Sequence, residues 1–315
     1  MILPDYVEVE NNIQLHVRDW GQGRPIVFIH GWPLSHEMFE YQFTQLPRYG
    51  FRCIGITLRG FGKSTKPWCD YSYDLFSDDI SSVLEALELE DVTLVGFSMG
   101  GAIALRYMSR SKGERVSRLV LAAAAAPSFT MRPGFSCGFE PGAVDSLIEL
   151  CSSDRARLNS EFGAIFFRKE GAASQGMYDW FHAMGMEASP NATAACLALL
   201  RDSDLHGDMA SVHVPTVVFH GVHDRVCPIE LAEALTAGPE LVTAGTLAMA
   251  AGAAADATGD VVHSRGIRGA RLVRFESSGH ALFYEEKDKF NLDLVNFIED
   301  KLFKDRTYVS EAVQE

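Results

Sequence analysis

The stretch that decides the fold runs from Val92 to Gly101 and reads VTLVGFSMGG. It places the pattern Gly-x-Ser-x-Gly directly after a short apolar run and directly before a run that suits a helix, Ala102–Met108. A serine on such a strand-to-helix turn has its hydroxyl exposed above the edge of a sheet. Glycine is needed at Gly96 and Gly100 because a Cβ there would collide within the tight turn. The stretch therefore predicts a nucleophile elbow with Ser98 as the nucleophile.

Outward from this turn, apolar runs of strand length alternate with segments long enough for crossover helices. This alternation predicts an α/β fold with a mostly parallel, doubly wound sheet. The first two runs are joined by Asn11-Asn12 and predict a hairpin. The hairpin strands are Tyr6–Glu10 and Ile13–Asp19. The other predicted strands, besides the one before Ser98, are Ile26–Ile29, Phe51–Ile56, Leu119–Leu121, Pro215–His220 and Arg271–Phe275.

Two segments interrupt the alternation. Residues 127–212 contain no good strand candidate and four helical patterns, which predicts a helical cap or lid inserted into a core made of residues 1–126 and 213–303. Residues 239–266 are rich in alanine and glycine and lack periodicity, which indicates an insertion within the core. The polar tail, residues 304–315, is expected to fray.

A serine nucleophile needs a base, and the base needs an orienting carboxylate. In hydrolases with this elbow the chain order is serine, acid, histidine. Asp224 follows one predicted strand and His280 follows the last one, so we expect them to be the acid and the base. An acid after the preceding strand is disfavoured because no carboxylate follows Ala122–Ala126 until Glu140.

Two aimed N–H donors are also expected, to form an oxyanion hole. The N–H of Met99 directly follows the nucleophile, and the N–H of Trp32 lies in the loop after an earlier strand, where Pro33 cannot donate. Among the ten histidines, His30, His220 and His223 lie near the predicted site and are interpreted as structural hydrogen-bonding groups. No metal site and no cofactor are predicted, because no helical His-Glu-x-x-His arrangement is present.

Composition excludes several classes of protein. The net charge of −14 opposes binding to phosphate backbones and to anionic membranes. No apolar run is long enough to span a bilayer, and Met1–Glu10 lacks the features of a signal peptide. Six scattered cysteines without Cys-x-x-Cys spacing are typical of a reducing compartment, so a cytoplasmic location is expected. A homo-oligomer is compatible with the sequence.

With these motifs, the chain resembles the α/β-hydrolase fold family over nearly its whole length. The loops His30–Pro33, Arg59–Ser64 and Gly96–Gly101, with those of Asp224 and His280, are most similar to the arylesterase and cofactor-free haloperoxidase (perhydrolase) branch. Two departures stand out. Thr57 replaces the aspartate that usually precedes the Arg59–Ser64 loop, and the acid and base lie 56 residues apart instead of 25 to 30. Removing the 28 residues 239–266 would restore the usual spacing.

The resemblance implies a cofactor-free serine carboxylesterase for small acyl or aryl esters, with perhydrolysis as a side activity because perhydrolases of this branch carry the Trp32-Pro33 pair. The cap would form the acyl pocket. Two alternatives stay open, namely a lactonase with the same triad, for acyl-homoserine lactones for example, and a non-catalytic ligand-binding member of the fold. Haloalkane dehalogenase and epoxide hydrolase activities are disfavoured, since those enzymes have a carboxylate where this chain has Ser98.

Overall fold

The computed structural model describes residues 5–169, 171–237 and 266–302 of the 315-residue chain. In these residues the strands are β1 (Tyr6–Glu10), β2 (Ile13–Gly21), β3 (Arg24–Ile29), β4 (Phe51–Ile56), β5 (Val92–Phe97), β6 (Val116–Ala122), β7 (Thr216–Gly221) and β8 (Arg271–Phe275). They form one sheet in the order β1-β2-β4-β3-β5-β6-β7-β8. Strand β2 pairs antiparallel with β1 and β4, and the remaining neighbours pair in parallel. The predicted hairpin and the mostly parallel α/β sheet are confirmed.

The helices surround this sheet and join its strands. They are α1 (Glu40–Gln45), α2 (Tyr73–Ala86), α3 (Met99–Arg110), α4 (Pro141–Ser153), α5 (Arg155–Phe166), α6 (Gln175–Glu187), α7 (Pro190–Asp202), α8 (Ile229–Thr236), α9 (Leu282–Glu285) and α10 (Lys287–Ile298). Every residue of β5 is buried, as expected for a central parallel strand that is covered on both faces. Helix α3 begins directly after this strand, so the elbow lies at the middle of the sheet.

The pattern over Glu285–Phe303 predicts a final helix, and α10 confirms it over Lys287–Ile298. A break at Glu286, with φ −122° and ψ 47°, separates α10 from the short helix α9, which was not predicted. The break lets α9 turn the chain after His280. Helices α1 and α8 were not predicted because both are short and their apolar residues cover little more than one or two turns.

Helices α4 to α7 all lie between β6 and β7 in the chain. The segment leaves the sheet near Pro127 and returns near Leu205, whose N–H donates to the Pro127 carbonyl at 2.9 Å. Its aromatic side chains pack onto the core, for example Phe166 and Phe181, whose ring centroids lie 6.3 and 6.4 Å from that of Phe283. We call residues 127–212 the cap. It covers the carboxyl-terminal end of the sheet on the side of α9.

The ends of the predicted insertion meet in the structure. Gly266 donates its N–H to the Ala237 carbonyl at 3.0 Å, and Ile267 donates to Leu235 at 2.8 Å. Residues 239–265 and the tail 304–315 lie outside the described residues. A connection that leaves and returns at one place can vary in length without moving the strands on either side.

The described ranges contain no helix that is both long and apolar enough to cross a membrane. All six cysteines lie within these ranges and none forms a disulfide. Within these ranges no covalent cross-link contributes to the fold.

Candidate active site

Ser98 lies between β5 and α3 with φ 53° and ψ −120°, a backbone conformation that residues other than glycine rarely adopt. The turn is held by two backbone hydrogen bonds, from Ser98 N–H to the Ala122 carbonyl at 2.9 Å and from Ala125 N–H to the Ser98 carbonyl at 3.0 Å. A Cβ on Gly100 would lie 2.6 Å from the His30 carbonyl oxygen, so only glycine fits there. The surroundings thus hold a strained serine in place, as a nucleophile elbow requires.

Asp224 and His280 form a buried hydrogen-bonded pair. The Nδ1 atom of His280 lies 2.7 Å from Oδ2 of Asp224, and both side chains are fully buried. The other carboxylate oxygen, Oδ1, accepts the N–H groups of Val226 and Cys227, each at 2.8 Å. Because the carboxylate accepts at Nδ1, the proton of a neutral His280 lies on Nδ1. Its Nε2 atom has no partner among the described residues and is free to accept a proton.

Two contacts bring this pair to the elbow. The ring of Phe97, the residue before the serine, lies 4.7 Å from the His280 ring. The Cys227 thiol lies near the side chains of Ser98 and Asp224. Burial raises the pKa of this thiol well above its ordinary value, so Cys227 stays protonated and is not a competing nucleophile. The three residues predicted from distant parts of the sequence therefore meet at one edge of the sheet.

The loop that carries His280 is anchored by two consecutive glutamates that the sequence reasoning missed. Glu285 accepts the N–H groups of Gly279 at 2.7 Å and of Arg168 at 2.8 Å, and Glu286 accepts the Ser278 hydroxyl at 2.7 Å. Burial raises the pKa of Glu285. Since Arg168 belongs to the cap, Glu285 ties the cap to the histidine loop. In the sequence, this anchor could have been inferred only from the two carboxylates that follow His280 by five and six residues.

The loop after β3 lies against the serine. A Cβ on Gly31 would lie 2.8 Å from the Ser98 Cβ. Neither the N–H of Trp32 nor that of Met99 has an acceptor within the described part of the chain. The Trp32 indole N–H donates to the Thr193 carbonyl of the cap at 3.0 Å, and the Trp32–Pro33 peptide is cis. Both predicted donors are thus unpaired among the described residues, Trp32 in the loop after β3 and Met99 at the start of α3.

The three nearby histidines differ in what they do. His30 accepts the Leu58 N–H at Nε2, 3.0 Å away, so its Nδ1–H donates to the Gly31 carbonyl at 2.9 Å. His220 is fully buried, with Nε2 2.8 Å from the Cys227 carbonyl oxygen. Burial lowers the pKa of His30 to about 4 and also lowers that of His220, so both are neutral at pH 7. His223 is exposed, and only its backbone N–H is bonded, to the Ser278 carbonyl.

Within the described ranges, no group of three or more His, Cys, Asp and Glu side chains is arranged to hold a metal ion. The chemistry available from these residues is that of a serine, a buried imidazole and a carboxylate, with two free backbone N–H groups beside them.

Comparison with known proteins agrees with this geometry. The model of the α/β hydrolase fold family matches residues 24–137. The AB hydrolase superfamily protein YisY of Bacillus subtilis is 42% identical over 292 residues, which cover 93% of this chain and 98% of the relative. The non-heme chloroperoxidase CPO-A1 of Kitasatospora aureofaciens is 32% identical, with 91% and 97% covered. A solved esterase structure from Exiguobacterium antarcticum is 38% identical, covers 93% of this chain and 98% of its own, and has a TM-score of 0.81.

The chain belongs to the α/β-hydrolase family. It is a hydrolase of the branch that contains esterases and cofactor-free haloperoxidases, as its motifs predict.

In this α/β-hydrolase, the departure at Thr57 is compensated locally. The Thr57 hydroxyl lies 2.6 Å from Nδ1 of His36, and the Thr57 carbonyl accepts the Ser64 hydroxyl at 2.6 Å. The loop is fixed further by a buried bidentate ion pair between Arg59 and Asp79, with contacts of 2.5 and 2.7 Å. The loop therefore has full support without an aspartate at position 57.

Proposed function

We propose that this hydrolase is a serine carboxylesterase for small acyl or aryl esters, with Ser98 as nucleophile, His280 as general base and Asp224 as orienting acid. The observation that carries the proposal is the buried His280–Asp224 pair at 2.7 Å, whose outer nitrogen is unpaired beside the elbow. A histidine held in one tautomer with a free Nε2 is what a hydroxyl nucleophile requires of its base.

The reaction would proceed in two halves. In the first, the Ser98 oxygen bonds to the ester carbonyl carbon while its proton passes to Nε2 of His280. The N–H groups of Trp32 and Met99 stabilise the negative oxygen of the tetrahedral intermediate. Collapse of the intermediate breaks the bond to the alcohol, which takes the proton from His280. In the second half, water gives a proton to His280 while its oxygen bonds to the acyl carbon. Collapse of this second intermediate breaks the bond to the Ser98 oxygen, which takes the proton back from His280, and the acid is released.

Asp224 would act by orientation and charge. Its Oδ2 holds the Nδ1–H of His280, and its Oδ1 is held by two backbone N–H groups, so the carboxylate cannot rotate away. The imidazolium that forms during each half-reaction is stabilised by this adjacent negative charge.

The substrate assignment rests on the cap. Three aromatic side chains of the cap line a cavity beside Pro33, namely Phe166, Phe167 and Phe181. Others pack elsewhere, for example Phe135, whose ring lies 4.8 Å from that of His206. Apolar walls with few polar groups favour acyl or aryl groups over charged substrates.

Perhydrolysis is the second activity that we propose. It is supported by membership of the haloperoxidase branch and by the Trp32-Pro33 pair in the loop beside Ser98. Hydrogen peroxide would replace water in the second half-reaction, giving a proton to His280 and forming a peracid from the acyl group. The carbonyl of Trp32 is the candidate acceptor of a hydrogen bond from the peroxide O–H that is not transferred and that stays in the peracid.

The test is turnover of p-nitrophenyl esters with acyl chains of two to twelve carbons, beside a set of lactones and an acetate ester with hydrogen peroxide. Ser98→Ala should lose at least about 10³ in kcat on every hydrolysed substrate. The matched control is Ser111→Ala, at the far end of α3, where the hydroxyl bonds only the Tyr107 carbonyl. Its rates should equal those of the parent.

The outcomes separate the rival functions. Near-parent activity in Ser98→Ala would reject the mechanism. Faster turnover of lactones than of every open ester would make the protein a lactonase. Labelling of Ser98 by a fluorophosphonate without turnover of any substrate would indicate a ligand-binding protein. Peracid formation that falls in Pro33→Leu relative to hydrolysis would support the peroxide activity, and an unchanged ratio would reject it.

A further inference from the structure

A groove runs over the cap between α5 and α6, and a buried amide without a hydrogen-bond partner among the described residues lies at its floor. Its volume is about 750 Å³, within the range of sites for small ligands. Beneath it lies a much narrower cavity of about 10 Å³ that reaches Pro33 and Phe166. The groove and the cavity share three lining residues, which are Asn159, Gly163 and His182.

Asn159 lies at this junction with its amide unpaired. The residue is 4% exposed, and neither Nδ2 nor Oδ1 has a hydrogen-bond partner among the described residues. Buried side-chain amides are nearly always paired, because an unpaired amide loses its bonds to water without replacement. Gly185 of the facing helix leaves room for the amide, since a Cβ there would lie 3.0 Å from Nδ2. Both a donor and an acceptor are therefore available at the floor of the groove.

The narrow cavity lies between this amide and the candidate active site, and at about 10 Å³ it must widen for a substrate to pass. Pro33 follows Trp32, the residue that supplies one of the two candidate oxyanion donors. On the opposite wall, the Phe166 ring lies 5.3 Å from the His280 ring. Neither Ser98 nor His280 lines the groove or the cavity itself. Asn159 is thus placed to contact the part of a substrate that is distant from the reacting carbonyl.

We propose that the groove holds the non-reacting end of the substrate and that Asn159 binds a neutral hydrogen-bonding group there. This inference rests on the proposed esterase function and narrows its substrates to esters that carry a keto, hydroxyl or amide oxygen a few bonds from the scissile carbonyl. Asn159 is a specificity-determining residue in this scheme, and it takes no part in the proton transfers.

The charges around the groove favour a neutral group over a carboxylate. Arg225 at the rim already donates Nη2 to the carbonyls of Ala164 at 2.6 Å and Phe167 at 3.2 Å. Asp179, a carboxylate, also lines the groove and would repel a second carboxylate. The inner cavity is lined mainly by aromatic rings, among them Phe162, Phe166 and Phe181, which would not solvate an ion.

The experiment compares esters that differ only by a carbonyl oxygen and a methyl group. On the acyl side the pair is p-nitrophenyl 4-oxopentanoate and 4-methylpentanoate. On the alcohol side it is the acetate of 4-hydroxybutan-2-one and 3-methylbutyl acetate. For each pair, the ratio of kcat/KM for the oxo to the methyl substrate is measured in the parent and in Asn159→Leu. Intrinsic reactivity cancels when the two ratios are divided.

The oxo preference in one of the two pairs should fall about tenfold in Asn159→Leu, as expected for the loss of one hydrogen bond. Asn159→Asp, which keeps only acceptors, should also lose the preference for the keto oxygen. The control is Asn191→Leu on α7, where Nδ2 lies 3.5 Å from the Cys69 carbonyl oxygen, and it should keep the parent ratio. Equal ratios in the parent and Asn159→Leu for both pairs would overturn the proposal.

A binding measurement separates this proposal from the esterase function. Methyl 4-oxopentanoate and methyl 4-methylpentanoate are titrated into Ser98→Ala and into Ser98→Ala with Asn159→Leu. Tighter binding of the oxo ester that disappears in the double variant supports the subsite even if the parent hydrolyses neither ester. Absence of turnover alone would reject the esterase function, and equal binding of the two esters would reject the subsite.

Discussion

The core and the cap of this α/β-hydrolase each hold an aspartate–histidine pair, and the two pairs differ in burial. In the core, Asp224 and His280 lie 2.7 Å apart with no exposed side-chain surface. In the cap, Asp204 and His206 lie 2.6 Å apart, with 53% and 22% of their side chains exposed. Both pairs therefore have a short hydrogen bond, and they differ in the burial and the neighbours of their side chains.

The physical reason is that water competes at the exposed pair. There the carboxylate is solvated and the interaction is screened, so the imidazole is oriented weakly. In the core, two backbone N–H groups hold the Asp224 carboxylate, and aromatic rings pack against the His280 imidazole. The Nε2 atom of His280 has no hydrogen-bond partner among the described residues. In this comparison the core holds the candidate catalytic groups in fixed positions, whereas the cap lines the space that a substrate would enter.

The largest effect should come from removing the charge in each pair. Asp224→Asn should lower kcat for the best ester by about 10³ to 10⁴, because the amide cannot hold the Nδ1–H tautomer or stabilise the imidazolium. Asp204→Asn, the same substitution in the exposed pair, should leave kcat within about twofold. Steady-state kinetics of both variants check this, with circular dichroism to confirm folding. Equal losses in the two variants would remove the distinction between the pairs.

A second prediction concerns the pH dependence of stability, which should arise in the core. Burial lowers the pKa of His30 to about 4 from an ordinary value near 6.5, so the unfolded state binds the proton first as the pH falls. The stabilisation is complete above pH 6.5 and is lost as the pH falls towards 4, a change of about 3 kcal/mol in the free energy of unfolding from this group alone. Denaturant unfolding at pH 7, 6, 5 and 4 measures it.

The matched variants for this measurement are His30→Gln in the core and His206→Gln in the cap. Removing His30 should make the stability fall less steeply between pH 6.5 and 4, whatever its effect at pH 7. Removing His206, whose side chain is partly exposed, should leave the slope unchanged. An unaltered slope in His30→Gln would show that other buried groups account for the acid sensitivity, such as His36 and His220.

The smallest effect is expected from a single methyl group added to one glycine in each region. Gly31→Ala would place a Cβ 2.8 Å from that of Ser98, so the oxyanion loop or the elbow must shift and kcat should fall about tenfold. Gly142→Ala on α4 of the cap meets no atom within 4 Å and should leave activity and stability close to the parent. A fully active Gly31→Ala enzyme would mean that the loop tolerates displacement.

Much of the core could be predicted from the sequence because its signals are local. The apolar runs that form the strands, the Gly-x-Ser-x-Gly turn and the loops after β7 and β8 are each contained in ten or fewer residues. The structure brings Ser98, Asp224 and His280 together at the end of the sheet where parallel strands deliver their loops. Their catalytic roles, and those of Trp32 and Met99, stay predictions that the variants above test.

Less of the site's support could be predicted, because it depends on contacts between distant segments. A break at Glu286 separates α9 from α10, and Glu285 at the end of α9 accepts from the backbone of both Gly279 and Arg168. The Cys227 thiol beside Ser98 follows from the packing of two loops that are 129 residues apart in the chain. Periodicity along a single segment contains no information about such approaches.

The sequence by itself determined the family, the strand order in the chain and the candidate triad, since these follow from short motifs and from alternation of apolar runs. Only the tertiary structure decided that the side chains of Asp224 and His280 are buried while those of Asp204 and His206 are exposed to solvent. It also decided that Asn159 is buried without a hydrogen-bond partner among the described residues. Burial is a property of everything that packs around a residue, including helices from the cap. For that reason the polarity of the groove, on which the proposed substrate preference rests, follows only from the assembled fold.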